Sequence, residues 1–424
     1  MTRRAVLLLA IAAASFDTNA ATSQWTQWGG PNRNFMSDAT GLASKWPAAG
    51  PPRLWSRPLG EGHSSILAEN GRLYTLYRPL GGVMSILRRS QEEVVTSLDA
   101  ATGKTIWEFK YPSPTDDLDF SQGAGPHSTP LIVGNMLYAT STRKELFALD
   151  KATGKVAWSH DFITEYGAAA PGRGYSCSPL LYRGTIIVTV GGPGEAIAAF
   201  NQQTGALVWK SGQYDFAPAS PILIDVDGET QLVLFAGNVV AGLDPSTGRA
   251  LWRYPHKTDW GLNISTPVWS PADHLLFVSS AYSTGSRAIE LHQAGGTTTA
   301  TEKWFSRRMR VHIGSVIRLG DYAYGSSGDF GPAFISAVDM KNGNVVWQDR
   351  SFARAQLLYA DGKAIVLDED GNLGIATLAP EGLKVLSKAS VLQNLSWTPP
   401  TLVGTTLYVR DRKTMAAFNL AAAR

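Results

Sequence analysis

Histidine supplies most of the acid–base and metal chemistry available near neutral pH. Three of the seven histidines in this 424-residue chain recur at matching points. His63, His127 and His312 each stand just ahead of an apolar run of the kind that begins a β-strand. Tyr175, Asn263, Gln356 and Trp397 hold corresponding positions, and Arg173, Arg308, Arg310, Asp215, Asp259 and Trp260 lie in the same connecting segments. If those segments meet around one axis, the candidate ligand-binding set is His63, His127, Arg173, Tyr175, Asn263, Arg310, His312, Gln356 and Trp397. Two uses compete for it. The side chains either satisfy backbone groups at a narrow channel mouth or line a pocket for a small ligand. Three imidazoles from separate strands hold a metal only where their spacing across the axis permits. No metal ligand and no catalytic residue is therefore assigned.

Other motifs carry less chemistry. Asp225-Val226-Asp227-Gly228-Glu229 begins like a calcium loop but lacks the later spaced ligands and the closing glutamate. It sits between strand-like runs and is expected to be a hairpin turn, as is Asp368-Glu369-Asp370-Gly371-Asn372. Gly191-Gly192-Pro193-Gly194 has no Lys-Ser/Thr and is no phosphate loop. Cys177 is the single cysteine, so no internal disulfide forms; it reads as a small buried residue. A formal net charge of +3, without any block of like charge, gives no basis for binding nucleic acid or an anionic membrane surface, and no nucleic-acid partner is expected.

The elements that position these residues come from an internal repeat. Ser97-Leu98-Asp99-Ala100-Ala101-Thr102-Gly103-Lys104-Thr105-Ile106-Trp107 recurs from Ala148 to Trp158, Ala199 to Trp209, Gly242 to Trp252 and Ala337 to Trp347. Trp304 marks a degenerate copy in which Leu291-His292-Gln293-Ala294-Gly295 replaces the Asp-x-x-Thr-Gly turn. Between the tryptophans lies Ser/Thr-Pro before an apolar strand, as at Thr129-Pro130, Ser178-Pro179, Ser220-Pro221, Thr266-Pro267 and Thr398-Pro399, followed by a Leu-Tyr type strand. Each period thus reads as four short antiparallel strands, the signature of a propeller blade. Asp opens the turn by accepting backbone N–H groups, Gly supplies the positive φ, and Trp offers a flat face to the next blade.

The third strand occurs eight times, near Leu98, Leu149, Phe200, Leu243, Leu291, Val338, Ala376 and Phe418. The Trp strand has one copy too early, at Trp55, and none after Phe418. The count closes if the Trp55 strand completes the last blade. The expected fold is all-β, an eight-bladed propeller of four-stranded blades whose ring is closed by N- and C-terminal strands. Trp55, Trp107, Trp158, Trp209, Trp252, Trp304 and Trp347 are its structural repeat residues. Residues 1–20 have the basic start, short apolar run and small terminal residues of a secretory signal peptide. Residues 21–52 form an N-terminal extension and 53–424 the single propeller domain. No apolar run is long enough to span a bilayer, so a soluble monomer, periplasmic or secreted, is expected.

The Ala-x-Asp-x-x-Thr-Gly-Lys-x-x-Trp pattern resembles the pyrroloquinoline-quinone (PQQ) type propeller repeat. Quinoprotein alcohol dehydrogenases, the outer-membrane assembly lipoprotein of the Bam complex and many exported bacterial propellers share it. Gln27-Trp28-Gly29-Gly30-Pro31-Asn32-Arg33, Gly60-Glu61-Gly62-His63-Ser64-Ser65 and Trp397-Thr398-Pro399-Pro400 are similar to the last group. For the dehydrogenases the resemblance implies a quinone held between an aromatic floor and a disulfide of adjacent cysteines, beside Ca²⁺ and an aspartate base. The single cysteine here rules out that lid, and no calcium-ligand set is visible. The expectation is a non-catalytic binding or scaffold protein, without cofactor, whose axial loops take a protein, polymer or small ligand. The alternatives are a diverged quinoprotein using PQQ with calcium, or a metal-dependent enzyme at the axial pocket, and an outer-membrane protein assembly factor.

Overall fold

A computed structural model describes residues 24–81, 89–170 and 172–422. The signal-peptide expectation, on residues 1–20, lies outside them. Among the described residues, thirty-two strands form eight four-stranded antiparallel sheets. Blades 1 to 7 span residues 67–112, 131–161, 180–211, 222–255, 268–306, 311–349 and 355–390. Blade 8 takes three strands from 401–419 and its fourth from Arg53–Pro58, which pairs with Thr414–Asn419 and sets Trp55 opposite Ala417. The ring closes as the Trp count requires, and Leu98, Leu149, Phe200, Leu243, Leu291, Val338, Ala376 and Phe418 all lie on third strands.

Position in the blade explains the strand sequences. Third strands such as Glu92–Asp99 are covered on both faces by adjoining blades, and six consecutive residues are buried. They read as unbroken small and apolar runs. Fourth strands such as Thr105–Pro112 lie at the circumference and alternate between exposed and half-buried positions.

The repeat residues form a clasp between blades. Trp107 Nε1 donates to Lys151 O at 3.1 Å, in the turn of the next blade. Trp158 donates to Gln202 O, Trp209 to Pro245 O, Trp304 to Met340 O and Trp347 to Ala379 O in the same manner. Trp55 donates to Ala100 O at 3.0 Å, so the clasp runs across the ring closure. Asp99 Oδ1 accepts the N–H and hydroxyl of Thr102, at 2.8 and 2.6 Å. Gly154 is needed twice over: its φ is +73°, and a Cβ there would stand 2.5 Å from Trp107 Cε3. Blade 4 breaks the pattern. Trp252 Nε1 bonds Gln231 Oε1 within its own blade, and Gln231 Nε2 passes the link to Thr298 Oγ1 in the lengthened hairpin of blade 5.

The segment ahead of Arg53 crosses one end of the central channel. Ile132 N–H donates to Thr26 O, Trp28 Nε1 to Thr266 Oγ1, Arg33 to Pro179 O, and Ser37 N–H to Tyr359 O, all within 2.8–3.0 Å. Those partners belong to the starts of blades 2, 5, 3 and 7. The strap therefore forms a floor, with Trp28 packed edge-on against Phe35 at 5.3 Å.

Candidate functional site

Above this floor lies an axial cavity of about 160 Å³. Five residues of the sequence-derived set line it: His63, His127, Arg173, His312 and Trp397, joined by Trp28, Gln122 and Tyr282. The His63 and His127 rings stack at 5.4 Å and 11°, and Trp397 leans on His63 at 5.3 Å. The Arg412 guanidinium lies 5.3 Å from the Trp397 ring centre and 3.3 Å from His63 Nε2. The Gln122 carbonyl lies equally close to His63 Nε2, at 3.3 Å, so this nitrogen faces one group that only donates and one that only accepts. Burial, then the charges of His127, Arg412 and Arg410, hold His63 well below the usual histidine range. Burial, then the Arg412 charge, pushes His127 down to about 4. His312 also falls to about 4, through burial and then Arg354. It pairs through Nε2 with the Tyr282 hydroxyl. His127 Nε2 and His312 Nδ1 are buried without a hydrogen-bond partner.

The other four sequence-derived residues spend their polar atoms on the protein. Tyr175 is buried and its hydroxyl donates to Thr189 O at 2.8 Å. Asn263 Nδ2 donates to Ala236 O, and its Oδ1 accepts from Ser280. Gln356 lies inside the first strand of blade 7, where Nε2 bonds Ile313 O and Trp397 O and Oε1 accepts from Ser315 N–H. Arg310 pairs with Asp329 at 3.4 Å. His312 sits within a bulge of Val311–Leu319, where pairing to the second strand lapses between Val311 and Val316. The bulge turns the imidazole to the axis.

The sequence reading missed Arg412, Gln122, Tyr282 and Trp28. Arg412 and Tyr282 come from loops between second and third strands, whereas only the segments ahead of first strands had been considered. Trp28 arrives from the extension. Tyr282 also joins the cavity to an aromatic cluster at its mouth, with Trp260 at 5.0 Å and Phe330 at 5.8 Å. Trp260 is 57% exposed and Phe330 74%.

The chemistry of this cavity is limited. Among the described residues, no aspartate or glutamate lines it. Glu369, behind Trp397, accepts its indole N–H at 2.9 Å and pairs with Arg354. Stacked imidazoles 11° from parallel do not direct their nitrogens at one ion. Bases whose conjugate acids sit near pH 4 accept protons poorly at neutral pH. Cys177 is buried, its thiol pushed up to about 12 by burial and donating to Ala217 O. Asp227 and Gly228 form the two-residue hairpin turn expected of them, with φ of 51° and 86°.

Comparison with known proteins agrees with this architecture. The outer membrane protein assembly factor BamB of Yersinia pestis is 22% identical over 362 residues, 85% of this chain and 76% of that protein. The dehydrogenase subunit of the quinone alcohol dehydrogenase of Gluconobacter oxydans is 27% identical over 243 residues, 51% of this chain and only 30% of that protein. Among solved structures, BamB from Moraxella catarrhalis superposes with a TM-score of 0.56 at 17% identity, covering 87% of this chain and 100% of that one. The quinohemoprotein alcohol dehydrogenase of Comamonas testosteroni reaches 0.62 at 14% identity, covering 95% and 81%. At these identities the superpositions show a shared fold. The family model described as outer membrane protein assembly factor BamB matches residues 91–349, more than half of the chain, and the chain belongs to that family.

Proposed function

We propose that this chain is an exported, non-catalytic docking propeller that binds a protein partner at the mouth of the axial cavity, in the service of outer-membrane protein assembly. One observation carries the reading: the cavity ends in two exposed aromatic side chains, Trp260 and Phe330, packed on the buried Tyr282, above a chamber poor in catalytic groups. Aromatic side chains flanked by arginine are the usual anchors of protein interfaces, and Arg173 and Arg310 stand partly exposed in the mouth loops. The chamber, at about 160 Å³, is smaller than the ~300–1,000 Å³ of ordinary ligand pockets.

The residues do not fit PQQ held by calcium. That ion takes six to eight oxygen ligands, chiefly carboxylates, and the lining offers none. Cys177 has no neighbouring cysteine to form a lid.

Removal of the gene from its own host, with complementation, tests the proposal. Wild-type protein restores the content of β-barrel proteins in the outer membrane. The Trp260→Ala, Phe330→Ala double variant, folded equally well, does not. Unchanged barrel content after removal, or dye reduction by an alcohol that requires both PQQ and Ca²⁺, overturns it.

A further inference from the structure

The degenerate turn of blade 5 builds a second site, away from the axis. In six of the other copies the residue after the third-strand apolar position is Asp or Asn: Asp99, Asp150, Asn201, Asp244, Asp339 and Asn419. In blade 5 it is His292, and the hairpin runs on through ten-residue strands to a Gly295-Gly296 turn. This extension carries His292 past the edge of the blade, toward the Asp227-Gly228 turn of blade 4. His274, ahead of the second strand of blade 5, completes the group. Its carbonyl accepts the N–H of Leu291 at 2.9 Å, which ties it to the same hairpin.

The three side chains converge. His274 Nδ1 lies 3.2 Å from Asp227 Oδ1, and His292 Nδ1 lies 3.8 Å from Asp227 Oδ2. One ligand atom from each falls within 4.8 Å of the other two, and the two imidazole rings are 4.7 Å apart. His274 Nδ1 is shielded from solvent yet makes no directed hydrogen bond, despite the nearby carboxylate oxygen. A nitrogen and an oxygen this close but not aimed at each other are placed like two ligands of one ion. Bonds of ~2.0–2.1 Å at tetrahedral angles separate donor atoms by about 3.3 Å. The Gln293 N–H donates to Asp227 Oδ2 at 2.8 Å and orients the carboxylate, as outer partners of metal ligands do. His292 is exposed on its strand and free to close the remaining gap.

We propose that Asp227, His274 and His292 bind one late first-row divalent cation, of the zinc class, as a clip between blades 4 and 5. Two imidazoles and one carboxylate suit such an ion better than Mg²⁺ or Ca²⁺, which prefer all-oxygen sites. The location gives the clip a use. Between these two blades the Trp clasp is missing, and Trp252 is turned back onto Gln231. A metal bridging the hairpin tips supplies a connection there and stabilises the ring by mass action.

The test is a Zn²⁺ titration of the full chain without a polyhistidine tag, by calorimetry and by thermal unfolding. One Zn²⁺ binds per chain and raises Tm, while equimolar Mg²⁺ does neither. His292→Ala weakens binding at least about 10-fold and leaves the metal-free Tm unchanged, because the ring is exposed. Anomalous scattering at the zinc edge places the ion between the three side chains. Equal Zn²⁺ affinity in wild type and His292→Ala, or an ion found elsewhere, overturns the proposal.

Discussion

Replacing Gly154 by alanine probes the contact that joins one blade to the next. The residue sits at φ +73°, a conformation that costs an L-residue ~1–2 kcal/mol. The new Cβ would stand 2.5 Å from Trp107 Cε3 and 2.8 Å from Cδ2. An indole cannot yield at its face, so the ring must move, and overpacking of this kind costs ~1–3 kcal/mol. Moving it also stretches the 3.1 Å bond from Trp107 Nε1 to Lys151 O, worth about 1 kcal/mol. The expected loss is about 3–6 kcal/mol, from these three sources together. Gly134 in the same blade supplies the control. Its φ is +57°, but a Cβ there meets nothing within 4 Å. Gly134→Ala therefore loses only the conformational part, ~1–2 kcal/mol. Urea denaturation of both variants measures the difference. Equal losses would show that these turn glycines serve backbone conformation alone and that the packed tryptophan face contributes nothing.

Trp55→Ala and Trp158→Ala should each lose about 3 kcal/mol, the low end for a buried aromatic because both rings keep an edge in solvent. A loss at Trp55 below about 1 kcal/mol, the cost at an ordinary surface position, would place ring closure elsewhere. Acid should weaken the fold through His256, which is 1% exposed. Arg287 Nε donates to its Nδ1 at 3.0 Å, so the proton sits on Nε2, facing Ser280. Burial, and then the Arg287 charge, lowers its pKa from 6.5 to about 3. The unfolded chain therefore binds the extra proton first, and stability present above pH 6.5 is lost as pH falls toward 3. At pH 5 the loss from this group is about 2 kcal/mol. Denaturation at pH 7.5 and 5.0 checks it: His256→Gln should flatten the dependence by that amount, and an unchanged slope would mean that His256 is not the group responsible.

The architecture was legible because the clasp is written into most periods. Asp, Gly and Trp recur at fixed spacing, and the early Trp55 disclosed the closure. The sequence did not reveal that each turn glycine also clears room for the tryptophan of the preceding blade, since that contact joins different repeats. The axial site was half legible. Register along the chain identifies which segments reach the axis, but it does not separate His127, which lines the cavity, from Tyr175 or Gln356, whose polar atoms are spent on backbone. Arg412 and Tyr282 approach from the loops between second and third strands of their blades, and Trp28 from an extension without periodicity. The convergence of Asp227 with His274 and His292 was hidden for another reason: a lost turn motif reads as decay until the lengthened hairpin is seen to reach the neighbouring blade.

Site-specific photo-crosslinking in the native envelope tests the docking account most directly. A photoreactive phenylalanine analogue at Phe330, at the cavity mouth, should trap one discrete partner protein, and Trp260→Ala should abolish the product. The same probe at Val346, an exposed position on the outer strand of blade 6, should trap none. Crosslinks from Val346 with none from Phe330 would contradict the account and move the interface to the circumference of the ring.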